Sequence, residues 1–128
     1  MDIRHAWRIK IIQELFSTSF SIPKKFDGNQ LDKKTKKIIK SQKTINQYIK
    51  KYLLKFPVEK IAKIDLAILQ LAIYELIFEK KEPIKVIINE AVQLAKEFGG
   101  ERSYSFVNAI LGKVCEEMSS SHKKNYEK

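Results

Sequence analysis

The sequence predicts an all-α protein, a compact helical bundle, and three observations lead to this fold class. First, apolar residues recur at helical spacing in six segments, and no segment shows the alternation of apolar and polar residues that is typical of a strand. Second, the four Gly and three Pro residues lie at positions that fit helix boundaries. Third, 128 residues with 44% hydrophobic side chains suffice for one domain with a real core, but not for a second, catalytic domain.

The first predicted helix runs from about Asp2 to Ser17. Residues 18–30 follow as a connection, because Pro23 and Gly28 interrupt the helical pattern.

The next helical pattern runs from about Leu31 to Leu54, and a break near Gln42 would divide it into two helices. At about 100° per residue its apolar residues lie on one side of the helix and its lysines on the other. We call these lysines the lysine ladder; they are Lys33, Lys36, Lys37, Lys40 and Lys43. Pro57 ends the pattern, since proline has no amide hydrogen and disfavours helix in the residue before it.

Residues 58–80 resume a helix after one loose turn. Residues 64–76 are apolar on nearly every side, which is typical of a helix at the centre of a bundle. Asp65 lies in the first turn of this helix, where a carboxylate interacts favourably with the unpaired amides.

Pro83 opens the following helix, at a position where its missing amide hydrogen costs nothing. Gly99 and Gly100 end that helix, and we expect a left-handed C-terminal cap there. The last helix starts near Ser103. The polar tail of residues 119–128 has no apolar periodicity, so we expect it to be frayed.

The net charge of +10 lies in one part of the chain. Residues 24–63 hold thirteen Lys against three acidic residues, whereas the segments before and after are nearly balanced. Such a field attracts a nucleic acid or an anionic membrane surface, although a coding bias toward Lys explains the same composition without a function. No apolar run approaches the length of a membrane span and the N-terminus makes a poor signal peptide, so we expect a cytoplasmic protein without membrane association.

Catalytic and metal-binding groups are sparse. The single cysteine, Cys115, excludes a disulfide within the chain and a cysteine-based zinc site, and His5 and His122 lie near opposite ends. Glu116 and Glu117 are adjacent and point to different sides of a helix, whereas general acid–base catalysis needs convergent carboxylates. We therefore expect no cofactor, no metal and no enzymatic activity.

Basic residues crowd the first turns of the first helix; they are Arg4, His5, Arg8 and Lys10. Positive charge at a helix N-terminus opposes the helix dipole, so the fold gains nothing from it there. We therefore interpret Arg4 and Arg8 as polyanion-binding residues. Trp7 lies among them, and we expect its ring to pack in the core.

Four segments carry motifs that occur together in one known family; they are Arg4–Phe16, Asp65–Leu76, Pro83–Gly99 and Ser103–Lys113. In order and spacing they resemble the NusB family of bacterial transcription antitermination factors. The first is similar to the arginine-rich first helix of the family, and the other three to its fourth, next and last helices. Each motif alone is weak, but four in register are specific.

The resemblance implies a NusB-like domain over residues 1–118 that consists of two packed helical subdomains, residues 1–55 and 56–118. The N-terminal subdomain would be shortened, because the stretch before Ile45 is shorter than in the family. The resemblance also implies an RNA-binding antitermination factor. Such a factor binds single-stranded boxA RNA of ribosomal RNA leader transcripts together with NusE, a small-subunit ribosomal protein. Other Nus factors and RNA polymerase join the complex, and NusB itself catalyses nothing.

By position, the resemblance implies four RNA-binding residues, namely Arg4, His5, Arg8 and Gln13. Lys10, from the basic cluster of the first helix, completes the predicted RNA-binding set. It places Tyr74 and Glu75 at the surface that meets NusE. The chain departs from the family at Gln70, where Arg is usual, and at Gly112, where Asp is usual. We interpret the lysine ladder as a non-specific electrostatic aid to RNA binding.

Two other functions are compatible with the sequence. One is a protein–protein adaptor module that has lost sequence-specific RNA binding, which the departures from the family favour. The other is a free-standing NusB-like RNA-binding domain that acts with a ribosomal RNA methyltransferase on another polypeptide. A homodimer is an alternative assembly, because some NusB-like proteins self-associate through the surface that otherwise binds RNA.

Overall fold

The computed structural model describes residues 2–20, 30–53 and 57–126, with side chains described as far as residue 120. Within these ranges all regular secondary structure is helical, which confirms the predicted all-α fold. The α-helices are α1 (Ile3–Thr18), α2 (Lys33–Lys40), α3 (Gln42–Tyr52), α4 (Lys63–Ile73), α5 (Ile84–Phe98) and α6 (Ser103–Tyr126). A short 3₁₀ turn, Val58–Lys60, precedes α4, and a π-helical segment, Tyr74–Glu79, follows it.

Helix α1 lies where the sequence predicts it. The Asp2 side chain caps its N-terminus by accepting a hydrogen bond of 3.0 Å from the Arg4 backbone N–H. Most of the predicted connection after α1, including Pro23 and Gly28, lies outside the described residues.

The predicted helix over residues 31–54 is divided into α2 and α3 at Ser41, which confirms the version with a break near Gln42. Asp32 caps α2 by accepting a hydrogen bond of 2.8 Å from the Lys34 N–H. The apolar sides of both helices face the core, where Ile38 and Ile45 are fully buried.

Helix α4 is the central element, as its all-round apolar sequence predicts. It packs against α1, α3, α5 and α6. Every residue of α4 from 67 to 73 is buried, and Asp65 lies buried in its first turn.

The chain then widens from α-helix to π-helix, which the sequence pattern does not signal. The Lys80 N–H donates to the carbonyl of Glu75, five residues earlier, at 2.9 Å, and Lys80 ends the segment with a φ of 54°. Tyr74 and Glu75, at the start of the segment, are both buried. Single π-helical turns of this kind often occur at functional sites.

The end of α5 differs from the predicted left-handed cap. Gly99 has φ −91° and ψ −176°, which is extended backbone. What requires glycine here is close approach, because a Cβ on Gly99 would lie 2.4 Å from the Cβ of Ser103. The Ser103 hydroxyl accepts a hydrogen bond of 2.8 Å from the Gly100 N–H as α6 begins.

Helix α6 continues to Tyr126, and the fraying of residues 119–128 stays a prediction. No Pro or Gly follows Gly112, so nothing in the tail breaks a helix that packing has already nucleated. The packed part of α6 is the stripe that includes Val107, Leu111 and Val114, all fully buried. None of the described helices is both long and apolar enough to cross a membrane.

Candidate nucleic-acid interface

The centre of the predicted site is a buried ion pair between α1 and the π-helical segment. Arg8 Nε donates to Glu75 Oε2 at 3.0 Å, and Arg8 Nη2 donates to Glu75 Oε1 at 2.7 Å. Arg8 is 5% exposed and Glu75 is 3% exposed. Two parallel charge-assisted hydrogen bonds are the arrangement that best compensates the desolvation of both charges.

Further charges surround this pair, and we call the five side chains the ion-pair cluster; they are Arg8, Lys34, Glu75, Glu79 and Glu82. Arg8 also bonds to Glu82, and Lys34 Nζ lies 3.1 Å from a Glu79 oxygen and 3.6 Å from a Glu75 oxygen. Burial opposes the charge of Arg8, but the hydrogen bonds and charges of Glu75 and Glu82 outweigh it and raise the pKa of Arg8. The cluster joins α1, α2, the π-helical segment and the α4–α5 connection.

Arg8 and Glu75 are thus in a different place from the one the sequence predicts. The sequence predicts them on two separate surfaces, one for RNA and one for a protein partner, whereas in the structure each buries the other. No local pattern in the sequence signals this pairing, because the two residues are 67 positions apart.

Tyr74, the other predicted partner residue, is also buried, with 8% of its surface exposed. Its ring stacks on the ring of Phe78 at a centroid distance of 5.7 Å, and Phe78 is 42% exposed. Burial, together with the nearby Glu79 carboxylate, raises the pKa of the Tyr74 hydroxyl. The exposed aromatic ring of this part of the fold is therefore that of Phe78.

His5 ties α1 to α5. Its Nδ1 lies 2.7 Å from Glu90 Oε2, and its Nε2 lies 3.1 Å from Glu97 Oε1. The hydrogen bond to Glu90 raises the pKa of His5, and Glu97 adds to this effect against the opposing effect of burial. Only 13% of the His5 side chain is exposed, so its main interactions lie within the fold.

The exposed members of the predicted RNA site are Arg4, Lys10 and Gln13. The Arg4 side chain is 71% exposed and touches Glu82 Oε1 at 3.0 Å, and the Lys10 side chain is 57% exposed, with its Nζ 3.8 Å from Asp32 Oδ2. Arg4 and Gln13 are nine residues apart, which places them about half a turn apart around the helix. The exposed residues therefore spiral around α1 and do not form one stripe.

Trp7 is not in the core, contrary to prediction. It is 43% exposed, its Nε1–H donates to Asp32 Oδ2 at 2.8 Å, and Lys34 Nζ lies 4.8 Å from its ring centroid. The hydrogen bond and the cation satisfy the edge and one face of the ring, so the fold holds the indole without burying it.

A second aromatic feature lies beside Gln13, and we call it the aromatic recess. It has a volume of about 380 Å³ and is lined by Gln13, Phe16, Ser17, Ile64 and Phe98. Phe16 and Phe98 are 37% and 40% exposed. Helical periodicity alone assigns both phenylalanines to apolar faces, and their exposure emerges only when α1, α4 and α5 pack together.

The lysine ladder is exposed along its whole length, as predicted.

The two departures from the family pattern, Gln70 and Gly112, differ in their surroundings. Gln70 is buried, and its Nε2 donates to Asn46 Oδ1 at 3.0 Å while its Oε1 accepts from Gln42 Nε2 at 3.3 Å. Gly112 faces open space, with no atom within 4 Å of the position of a Cβ.

The described residues include no group of three His, Cys, Asp or Glu side chains arranged to hold a metal ion. The Cys115 thiol is partly buried, and burial raises its pKa, which disfavours the reactive thiolate.

Comparison with known proteins gives a consistent result. The sequence model that describes the NusB family matches residues 5–116 of this chain. The transcription antitermination protein NusB of Clostridium tetani is 41% identical over 83 residues, which cover 65% of this chain and 54% of that protein. The NusB of Acetivibrio thermocellus is 45% identical over 94 residues, covering 70% of this chain and 65% of that protein.

These matches span between about half and two thirds of the length of the two relatives. Among solved structures, NusB of T. maritima superposes with a TM-score of 0.76 at 32% identity, and the match covers 91% of this chain and 92% of that one. The family match extends over most of the chain, and the fold agrees with it. The chain therefore belongs to the NusB family.

Proposed function

We propose that this chain is a non-enzymatic transcription antitermination factor of the cytoplasm. It binds boxA-type RNA of ribosomal RNA leader transcripts together with NusE, and with other Nus factors it supports processive elongation by RNA polymerase. The observation that carries the proposal is the combination of family membership over residues 5–116 with exposed cations and aromatic rings along α1.

In this proposal the RNA is bound by the exposed residues of α1. Arg4 and Lys10 neutralise phosphates, and Gln13 hydrogen-bonds a base edge above the aromatic recess. Trp7, Phe16 and Phe98 offer ring faces on which unpaired bases stack, which is the usual way in which proteins hold single-stranded RNA.

Arg8 and His5 support RNA binding indirectly in this proposal. Both side chains are largely buried and bonded to carboxylates of other elements. They fix the N-terminal half of α1 against the π-helical segment and α5, and so position the exposed residues of α1 on either side of them in the sequence. Their role is to hold the RNA-binding surface in place.

For the protein partner, we propose the surface around Phe78. An exposed aromatic ring that stacks on a buried one is rigid and loses little side-chain entropy on binding, and such aromatic anchors carry much of the energy of interfaces. Tyr74 acts in this surface by supporting Phe78.

The test is fluorescence anisotropy with boxA RNA and a scrambled RNA of equal composition, at several salt concentrations, with and without NusE. The proposal expects tighter binding of boxA RNA, a further gain with NusE, and loss of that preference in Arg4→Ala with Gln13→Ala. Equal affinity for both RNAs under every condition would overturn it.

A protein–protein adaptor without RNA specificity is the second candidate, and the burial of Arg8 favours it, because it removes one cation from the RNA surface. The boxA preference of the unaltered chain separates the two candidates, because the adaptor requires equal affinity for boxA and scrambled RNA. Both candidates expect Phe78→Ala to lose NusE binding, so retention of NusE binding in this variant would contradict the proposed partner surface.

A further inference from the structure

The lysine ladder has a regularity that the core does not require. Lys33, Lys36, Lys37 and Lys40 follow the i, i+3, i+4, i+7 pattern of one helix face, and all four are exposed. Lys43 continues the ladder at the start of α3. Like charges three and four residues apart on a helix repel each other, so this arrangement destabilises α2 in isolation.

The structure distinguishes these lysines from the one lysine of α2 that the fold does use. Lys34 is 6% exposed, lies over Trp7, and pairs with Glu79 and Glu75 in the ion-pair cluster. By contrast, no carboxylate oxygen of the described residues lies within 4.0 Å of a ladder amino group. The positive field of the ladder is therefore directed to solvent.

The surroundings of the ladder favour RNA over two other kinds of partner, namely an anionic membrane surface and an acidic protein. A membrane-surface helix inserts an exposed apolar face, whereas the apolar sides of α2 and α3 are buried at Ile38, Ile45 and Ile49. Protein interfaces are depleted in lysine and enriched in aromatic residues and arginine, which the ladder lacks. A nucleic-acid backbone needs only a row of cations.

The position of the ladder links it to α1. Asp32, directly before Lys33, caps α2 and also accepts the Trp7 indole N–H, and its Oδ2 lies 3.8 Å from Lys10 Nζ. From Lys33 to Lys40 the helix rises by about 10 Å, so the row of cations is long enough to face more than one phosphate of a single strand. The row thus begins beside the exposed tryptophan and lysine of α1.

We propose that the lysine ladder binds the phosphodiester backbone of RNA that flanks the element recognised by α1, without reading its sequence. This inference rests on the proposed RNA-binding function. The ladder lengthens the interface with RNA, and α1 supplies the choice of sequence.

The test compares boxA RNA alone with the same RNA extended at its 5′ or 3′ end by an unstructured uridine tract. The ladder variant combines Lys33→Gln, Lys36→Gln, Lys37→Gln and Lys40→Gln. The matched control removes four positive charges elsewhere, by Lys60→Gln, Lys85→Gln, Lys96→Gln and Lys113→Gln, all at exposed positions. Gln and Lys have similar helix propensities, so we expect both variants to fold. Far-ultraviolet circular dichroism checks that their helix content is unchanged.

We expect the extension to tighten binding about tenfold or more at about 0.1 M salt in the unaltered chain and in the control, but not in the ladder variant. With the extended RNA, the slope of log affinity against log salt should also be smaller in the ladder variant, by about 0.7 for each phosphate that the ladder no longer neutralises. Its preference for boxA over scrambled RNA should be unchanged.

Disappearance of the length effect in the control as well, or its persistence in the ladder variant, would overturn the inference. So would ladder-dependent binding to vesicles that contain phosphatidylserine if extension of the RNA has no effect. If boxA and scrambled RNA bind equally while the length effect still needs the ladder, the proposed function fails and the ladder inference stands.

Discussion

Arg8 and Glu75 form a bidentate ion pair in the interior of the molecule, with both hydrogen bonds at 3.0 Å or less. The pair joins the first helix to the π-helical turn that follows the central helix. Because each side chain is almost completely buried, removing one of the two leaves a nearly buried charge without its main partner.

We therefore predict that Arg8→Met lowers the free energy of unfolding by about 3–5 kcal/mol, the range for breaking a buried pair. Arg4→Met, at an exposed pair, should change it by about 1 kcal/mol or less. Urea unfolding measures both. Arg8→Met combined with Glu75→Gln should cost less than the sum of the single changes, and strictly additive costs would show that the two side chains are not coupled.

A second prediction concerns the exposed cations of α1. Replacing Arg4 and Lys10 by Gln should reduce the salt dependence of boxA RNA binding by about 0.7 in slope for each phosphate that is no longer neutralised, because both side chains reach solvent. Affinity titrations at several salt concentrations measure the slope. Lys85→Gln with Lys113→Gln is the control of equal charge, and an equal reduction of slope in both variants would mean that α1 has no special role.

Trp7 offers a direct optical test, since it is the only tryptophan of the chain and is 43% exposed. We predict that boxA RNA quenches its fluorescence as a base stacks on the ring, and that Trp7→Ala weakens binding by about 1–3 kcal/mol, the usual value for one stacked base. Tyr104→Ala keeps the fluorophore, removes an exposed ring of α6 that has no role in the proposed RNA surface, and is the control for quenching. Tight binding of RNA without any change in emission would exclude stacking on Trp7.

The fourth prediction is a pH dependence of stability that originates at His5. Its hydrogen bond with Glu90, with Glu97 as second partner, raises the pKa of the folded state above the unfolded value of about 6.5. The stabilisation is therefore complete below about pH 6.5 and is lost as the pH rises through the raised pKa. Urea unfolding from about pH 5.5 to about pH 8.5 should show this decline, and His5→Gln should remove much of it. An unchanged profile in His5→Gln would assign the dependence to other groups.

Two glycines should respond in opposite directions to the same substitution. Gly99→Ala places a Cβ 2.4 Å from Ser103 and 2.7 Å from the Ala95 carbonyl, so we expect the free energy of unfolding to fall by about 1–3 kcal/mol. Gly112→Ala, within α6 and with no atom within 4 Å, should stabilise the protein by about 0.5–1 kcal/mol. Thermal unfolding of the two variants compares them, and equal melting temperatures would contradict the close packing around Gly99.

The sequence was a good guide to the helices and to the central place of α4, because these depend on periodicity and on residues that break helices. Where a single residue determines the local geometry, it was less reliable. A left-handed cap and a close approach between two chain segments both favour glycine, so the residue type does not distinguish them. At Gly99 the structure shows a close approach to Ser103 and no left-handed cap. The widening of the helix at Tyr74 leaves no trace in the apolar pattern.

Side-chain placement at the candidate site was the weakest part, and the reason is the distance along the chain between partners. Whether Arg8 faces solvent or Glu75 depends on a pairing between residues 67 positions apart. Trp7 is held outside the core by Asp32, which follows a connection that has no periodic pattern. The exposure of the lysine ladder was predicted correctly, because it follows from the spacing within one helix.

The central position of α4 has a consequence for what its sequence can reveal. A helix enclosed by four others has hardly any side chain that can be exchanged without disturbing a neighbour, and the recognisable segment Asp65–Leu76 lies almost wholly inside that enclosure. Packing therefore constrains its residues, whatever ligand the outside of the molecule binds. Divergence of specificity between members of the family would be recorded in the outward-facing residues of α1 and α2, which can change while the signature of the family stays the same.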